Sequence, residues 1–159
     1  FYYIDFQQGD PLYAGALVST FLFGGALGTI LGAPVSDRIG YKNFLMLSLA
    51  LSSVLFPLIL VSKGAMLFVS LGLVGMSLIS SFTVTIVMAQ GLLPNNLGMA
   101  SGLMAGFAIG TGGIGVTLLG VIADHFGVPT ALKSIWLLPI FGLVISFFIR
   151  YPSDKSLKT

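Results

Sequence analysis

The sequence predicts an all-α fold, a polytopic transmembrane helical bundle, and three observations support this class. Charged residues make up only 8% of the 159 residues and hydrophobic residues 56%, whereas a soluble domain carries about 25% charged residues. The apolar residues form several continuous runs of roughly 20 residues, the length at which a helix crosses the ~30 Å hydrocarbon layer of a membrane. Short polar segments that contain glycine, proline or asparagine separate these runs.

The apolar runs predict five complete spans and the end of another. The complete spans cover residues 14–35, 44–61, 65–90, 98–122 and 130–148. Residues 1–8 have the composition of the last turns of an apolar helix, so we expect them to end a span that begins upstream. Residues 1–150 would then form one helix bundle and residues 151–159 a polar tail.

The segments between the spans are predicted to be surface turns. Residues 32–43 hold the tightest cluster of charge, so we predict a loop there, with Asn43 capping the next helix. Residues 62–64 are short enough to make an antiparallel hairpin. We expect Pro94 to end the third span, an asparagine to cap the fourth, and residues 123–129 to form another turn. Pro57 and Pro139 fall inside spans.

The distribution of lysine and arginine predicts the orientation in the membrane. Five of them lie on the side that holds the Asp37 turn and the tail, and two lie on the opposite side. The positive-inside rule therefore places the Asp37 loop and the C-terminus in the cytoplasm of a multi-pass protein of the cell (inner) membrane.

Several function classes find no support in the composition. The chain has no cysteine, one histidine (His125) and a net charge of +2. The spans contain no titratable pair and no metal-ligand spacing, so we expect no catalytic site, no metal and no cofactor. The few basic residues lie singly or in small groups at span ends, which indicates no nucleic-acid partner.

Glycines recur at intervals of four in two spans. Spacing by four keeps residues on nearly one face of a helix and lets another backbone approach closely. We therefore predict two packing faces, one in each span: Gly24, Gly28, Gly32; and Gly98, Gly102, Gly106, Gly110.

A series of motifs resembles those of a transporter family. Residues 32–42 read G-x-x-x-x-D-R-x-G-x-K, followed by AQGLLP at 89–94, GMASGL at 98–103, GGIG at 112–115 and LGVIADH at 119–125. In this order and spacing, over residues 13–139, they resemble the C-terminal half of major facilitator superfamily efflux transporters of the fosmidomycin-resistance type. Two positions depart from the pattern: Tyr41 replaces a usual basic residue, and Gly91 a frequent acidic one.

The resemblance implies a fold and an activity. The fold would be the C-terminal six-helix half of a twelve-helix major facilitator bundle, with helix seven truncated. The activity would be proton-driven efflux of a small drug-like compound such as fosmidomycin by alternating access. The partners would be the lipid bilayer, the N-terminal six-helix half, the small-molecule substrate and protons. Since the interiors of these spans contain no ionisable residue, the proton relay should lie mainly in the N-terminal half.

The candidate functional residues form three groups. The gating loop would comprise Asp37, Arg38, Gly40 and Lys42, with Asp37 docking on a helix of the other half and the two basic residues holding that carboxylate or binding phosphates. Neutral groups that could line a substrate pathway are Ser77, Ser81, Thr85 and Gln90, although membrane hydroxyls also bond to their own helix. The two glycine faces would pack against the other half.

Two alternatives remain open at this point. One is an uptake permease of the same superfamily for a sugar or an organic anion. The other is a membrane scaffold that transports nothing.

Overall fold

The computed structural model describes residues 11–149 and 151, and within them the chain forms five α-helices. The helices are α1 (Pro11–Ile39), α2 (Tyr41–Val61), α3 (Ala65–Leu92), α4 (Leu97–Phe126) and α5 (Val128–Phe148). All five are long and apolar enough to cross a membrane, which confirms the predicted all-α membrane class. The predicted span end at residues 1–8, Arg150 and residues 152–159 lie outside the described residues.

The corners between helices are tighter than the sequence predicts. The predicted loop over residues 32–43 is wrong, because α1 continues to Ile39 and Gly40 alone separates it from α2. The turn predicted over 123–129 likewise shrinks to Gly127. Gly40, Gly64 and Gly127 have φ angles of 88°, 58° and 84°, a left-handed conformation that glycine adopts without steric cost. Charged residues mark the membrane surface, whereas these glycines mark where a helix ends.

Neither asparagine cap forms. Helix α2 begins with Gly40 at its N-cap, and the Asn43 side chain instead donates a hydrogen bond of 2.9 Å to the carbonyl oxygen of Ile39. That bond satisfies a carbonyl at the end of α1, which has no partner within its own helix. Asn96 precedes α4 without a side-chain cap bond, and the predicted break at Pro94 is a single 3-10 turn, Pro94–Asn96.

Helix α3 holds the bundle together by packing against α1, α2 and α4, while α5 packs against α2 and α4. Because successive helices alternate in direction, the bundle has two ends. We call the end where α1 stops the Asp37 end and the end where α4 stops the Asp124 end. A hydrophobic core cluster lies near the Asp37 end between α2 and α3, and it consists of Phe44, Leu45, Val84 and Met88.

Candidate functional site

The corner between α1 and α2 holds Asp37 in a defined hydrogen bond. Asp37 lies in the last turn of α1 and is exposed. The hydroxyl of Tyr41, the first residue of α2, donates to Oδ1 of Asp37 over 2.9 Å. Gly40 lies between them and turns the chain. The candidate gating residues therefore lie on a helical corner, and Tyr41, which departs from the family pattern, is the partner of the carboxylate.

The two basic residues of the corner have different surroundings. Lys42 donates from Nζ to the carbonyl oxygen of Phe147 over 3.4 Å, so it reaches the end of α5. A cation is favourable there because the last carbonyls of a helix carry partial negative charge. Of its two predicted roles, holding Asp37 or binding phosphates, this structure does not show the first. Arg38 is exposed in the last turn of α1, where the same dipole favours it.

A residue beyond the end of α5, Tyr151, also joins helices at the Asp37 end. Tyr151 packs against the hydrophobic core cluster, and its hydroxyl donates to the carbonyl oxygen of Met88 over 3.3 Å. Together with the Lys42 bond to Phe147, this contact joins α2, α3 and the end of α5. Hydrogen bonds between residues far apart in sequence therefore hold the helices together at the Asp37 end.

The predicted pathway hydroxyls bond inside their own helix. Ser77 donates to the carbonyl oxygen of Leu73 over 3.1 Å, and Ser81 and Thr85 make similar bonds of 2.7 Å and 2.8 Å within α3. Ser77 and Ser81 are buried, and Thr85 is half-buried. Each oxygen keeps acceptor capacity after donating its proton.

Gln90 makes a contact between helices that the sequence did not indicate. Its Nε2 donates to Oγ of Ser101 over 2.7 Å, and Ser101 donates in turn to the carbonyl oxygen of Leu97. The two residues lie on α3 and α4, so no spacing within one helix could have paired them. The bond joins these helices near the Asp37 end.

The glycines of α1 pack against α3 of the same chain. A Cβ added to Gly24 or Gly28 would overlap the backbone carbonyl of Gly72 or Met76, respectively. At Gly32 it would lie 2.8 Å from Cζ of Phe44 and 3.2 Å from Cβ of Ser80. The predicted close approach exists, but its partner is α3 and α2 within this bundle. The interdomain contact predicted for this row is therefore replaced by a contact inside the chain.

The glycines of α4 have no such neighbours. In the part of the chain that the structure describes, nothing lies within 4 Å of a Cβ added to any member of the predicted row: Gly98, Gly102, Gly106, Gly110. Ala100 is the one buried residue of α4, although the helix is as apolar as its neighbours. This face is therefore open for the role predicted from the spacing.

A large apolar cavity opens at the Asp124 end. It has a volume of about 810 Å³ and is lined by all five helices, including Leu17, Leu71, Leu119 and Ile135. Among the lining residues that the structure describes, Asp124 is the one that carries a charge. Within residues 11–149 and 151, no group of three histidine or acidic side chains is placed to hold a metal ion.

Comparison with known proteins identifies the family. The model of the Major Facilitator Superfamily matches residues 2–159. The chain belongs to the Major Facilitator Superfamily. Proteins of this superfamily are membrane transporters, so the chain's class is that of a transporter and its environment is the lipid bilayer. No solved structure gives a significant match to the chain.

Two curated proteins are similar to this chain over most of its length. It is 39% identical over 159 residues to the uncharacterized MFS-type transporter YfnC of Bacillus subtilis, covering 99% of this chain and 38% of that protein. It is 39% identical over 130 residues to the fosmidomycin resistance protein of Escherichia coli, covering 80% of this chain and 31% of that protein. The chain thus spans well under half the length of either relative.

Proposed function

We propose that this chain is the C-terminal half of a transporter that exports a small drug-like compound, such as fosmidomycin, in exchange for protons. The observation that supports this proposal most directly is the 39% identity with the fosmidomycin resistance protein over 80% of the chain. An uptake permease or a scaffold is less well supported, because neither explains that similarity.

The geometry fits alternating access, in which two halves rock against each other around a central site. Helix α4 presents an uncovered glycine row along its length, and a second backbone can approach it closely. We propose that this row faces the N-terminal six-helix half. Asp37 is exposed at the corner between α1 and α2, where it docks on the amino end of a helix of that half. Docking closes the Asp37 end, and release opens it.

The remaining assignments follow from this arrangement. The Asp37 end faces the cytoplasm and the Asp124 end the opposite side, as the distribution of lysine and arginine predicts. The interiors of the spans contain no ionisable residue to relay protons, because the charged residues of the helices lie near their ends, so we assign that relay to the other half. Arg38 supports the gate by placing a positive charge in the last turn of α1. Gly40 supports it by adopting the positive φ angle that forms the corner.

We propose that the substrate pathway passes the polar groups of α3. Because the hydroxyls of Ser77, Ser81 and Thr85 already donate within α3, a substrate can use only their acceptor positions. Gln90 contributes through its bond to Ser101 by fixing the distance between α3 and α4.

Drug susceptibility of bacteria that express the full-length protein tests this function. Wild type should raise the concentration of fosmidomycin that stops growth, and Asp37→Asn should lower that protection about tenfold, because a neutral amide loses the attraction of the helix dipole, up to ~2 kcal/mol in partly buried geometries. Membrane levels of each variant are matched by immunoblotting.

Asp124→Asn is the matched control, since it removes the same charge at the opposite end of the bundle. It should protect like wild type. Absence of protection by the wild-type protein would overturn the proposed efflux, and full protection by Asp37→Asn would overturn the gating role.

A further inference from the structure

Tyr41 joins the exposed carboxylate of Asp37 to the interior of the bundle. Its ring is half-buried and packs against the hydrophobic core cluster of α2 and α3. Its hydroxyl donates to Oδ1 of Asp37 over 2.9 Å. One end of the side chain is therefore anchored in apolar packing, and the other end holds a charge on a different helix.

The backbone of the corner makes this bond more than an ordinary contact along a helix. Residues four apart are neighbours on a continuous helix, but Gly40 interrupts the helix here with a φ angle of 88°. The bond therefore spans two helices, as does the bond from Asn43 to the carbonyl of Ile39. Ser36, which directly precedes Asp37 in α1, is buried and donates to the carbonyl oxygen of Ala33 over 2.8 Å.

We propose that Tyr41 is a positioning residue for Asp37, which it holds in one orientation by a neutral donor anchored in the hydrophobic core cluster. A long basic side chain at this position would attract the carboxylate, but its many rotamers would leave the direction of the charge free. The phenol has two side-chain torsions, and packing of its ring restricts them. The chain thus keeps an oriented carboxylate without a basic residue at position 41.

The functional meaning of this inference rests on the proposed gating role of Asp37, so its test uses a readout that is independent of transport. Ser36→Cys places one thiol at the buried side of the corner in a chain that has no cysteine. The full-length protein is purified in detergent and treated with a maleimide. The labelling rate of the peptide that contains residue 36 is then measured by mass spectrometry.

In this background, Tyr41→Phe keeps the ring and removes the donor. It should speed labelling about two- to tenfold, the effect expected from losing one hydrogen bond. Asp37→Ala should speed labelling to a similar extent, and the double variant should add nothing further, because both changes break the same bond. Unchanged labelling in Tyr41→Phe, or multiplied effects in the double variant, would overturn the inference.

Single and double variants at Tyr41 and Asp37, assayed for fosmidomycin protection, separate the positioning proposal from the efflux proposal. Tyr41→Phe should weaken protection about two- to tenfold in the wild-type background and not at all in the Asp37→Asn background. If Tyr41→Phe still weakened protection in a protein that already carries Asp37→Asn, the positioning role would be overturned. A wild-type protein that gives no protection overturns the efflux proposal, while the labelling cycle still decides the role of Tyr41.

Discussion

Helices α1 and α4 carry glycine rows of the same spacing but lie in opposite surroundings. In α1 the row is buried, and the backbone of α3 lies so close to Gly24 and Gly28 that no side chain would fit. In α4 every position of the row is open. The two helices are almost equally long, at 29 and 30 residues, so length does not explain the difference.

The comparison teaches that glycine spacing predicts a close-packed face but not what packs there. Lipid tails are as apolar as leucine, so membrane helices associate through close contact between small residues. A glycine row exposed to lipid would gain nothing from its lack of side chains. The row in α1 packs against α3 inside this chain, whereas the row in α4 is suited to packing against a helix outside it.

The largest expected effect comes from filling the buried row. Gly28→Leu would force α1 and α3 apart, because even the Cβ overlaps the carbonyl of Met76, and we expect a loss of about 3 kcal/mol of stability. The readout is the folded fraction of the full-length protein by size-exclusion chromatography. Gly15→Leu is the control on the same helix, since no described residue lies within 4 Å of a Cβ added there. Equal folded fractions for the two variants would contradict the packing of α1 on α3.

Much of the fold follows from the sequence, because hydrophobic length alone defines a membrane span. All five helices appear within a few residues of the predicted boundaries. The errors lie at the corners, where Asp37 and Arg38 are helical although they are charged. Helices extend past the hydrocarbon layer as long as no residue breaks them, and the break comes at Gly40, whose positive φ angle few other residues adopt.

The candidate site was less predictable, since it depends on which helices touch. The bond between Tyr41 and Asp37 was within reach of sequence reasoning, because the two residues flank a single glycine turn and one of them is a donor. The bond between Gln90 and Ser101 was not, because it requires the relative positions of α3 and α4. To predict that α3 packs against the glycine row of α1 would have required the same knowledge of how the helices are arranged.

An intermediate effect is expected from filling the open row. Gly102→Leu combined with Gly106→Leu should leave the folded fraction unchanged, because both positions face open space in this half. Fosmidomycin protection should fall about tenfold, since the leucines keep the other half from approaching, and tenfold corresponds to about 1.4 kcal/mol. Gly115→Leu is the control, because it lies on the opposite face of α4 from Gly102 and Gly106 and its Cβ would likewise meet open space. Full protection by the double variant would show that this face meets lipid.

The smallest expected effect concerns the hydrogen bond that joins α4 to α3, the helix against which the glycine row of α1 packs. Ser101→Ala removes the acceptor of Gln90 between α3 and α4, a loss of about 1 kcal/mol. It also removes the bond of Ser101 to its own helix, so Ser134→Ala is the matched control, because Ser134 likewise donates to the carbonyl four residues earlier. Thermal unfolding of the full-length protein in detergent should show a lower midpoint for Ser101→Ala than for Ser134→Ala. Equal midpoints would mean that α4 is held to α3 by packing around Ala100, its one buried residue, and not by this hydrogen bond.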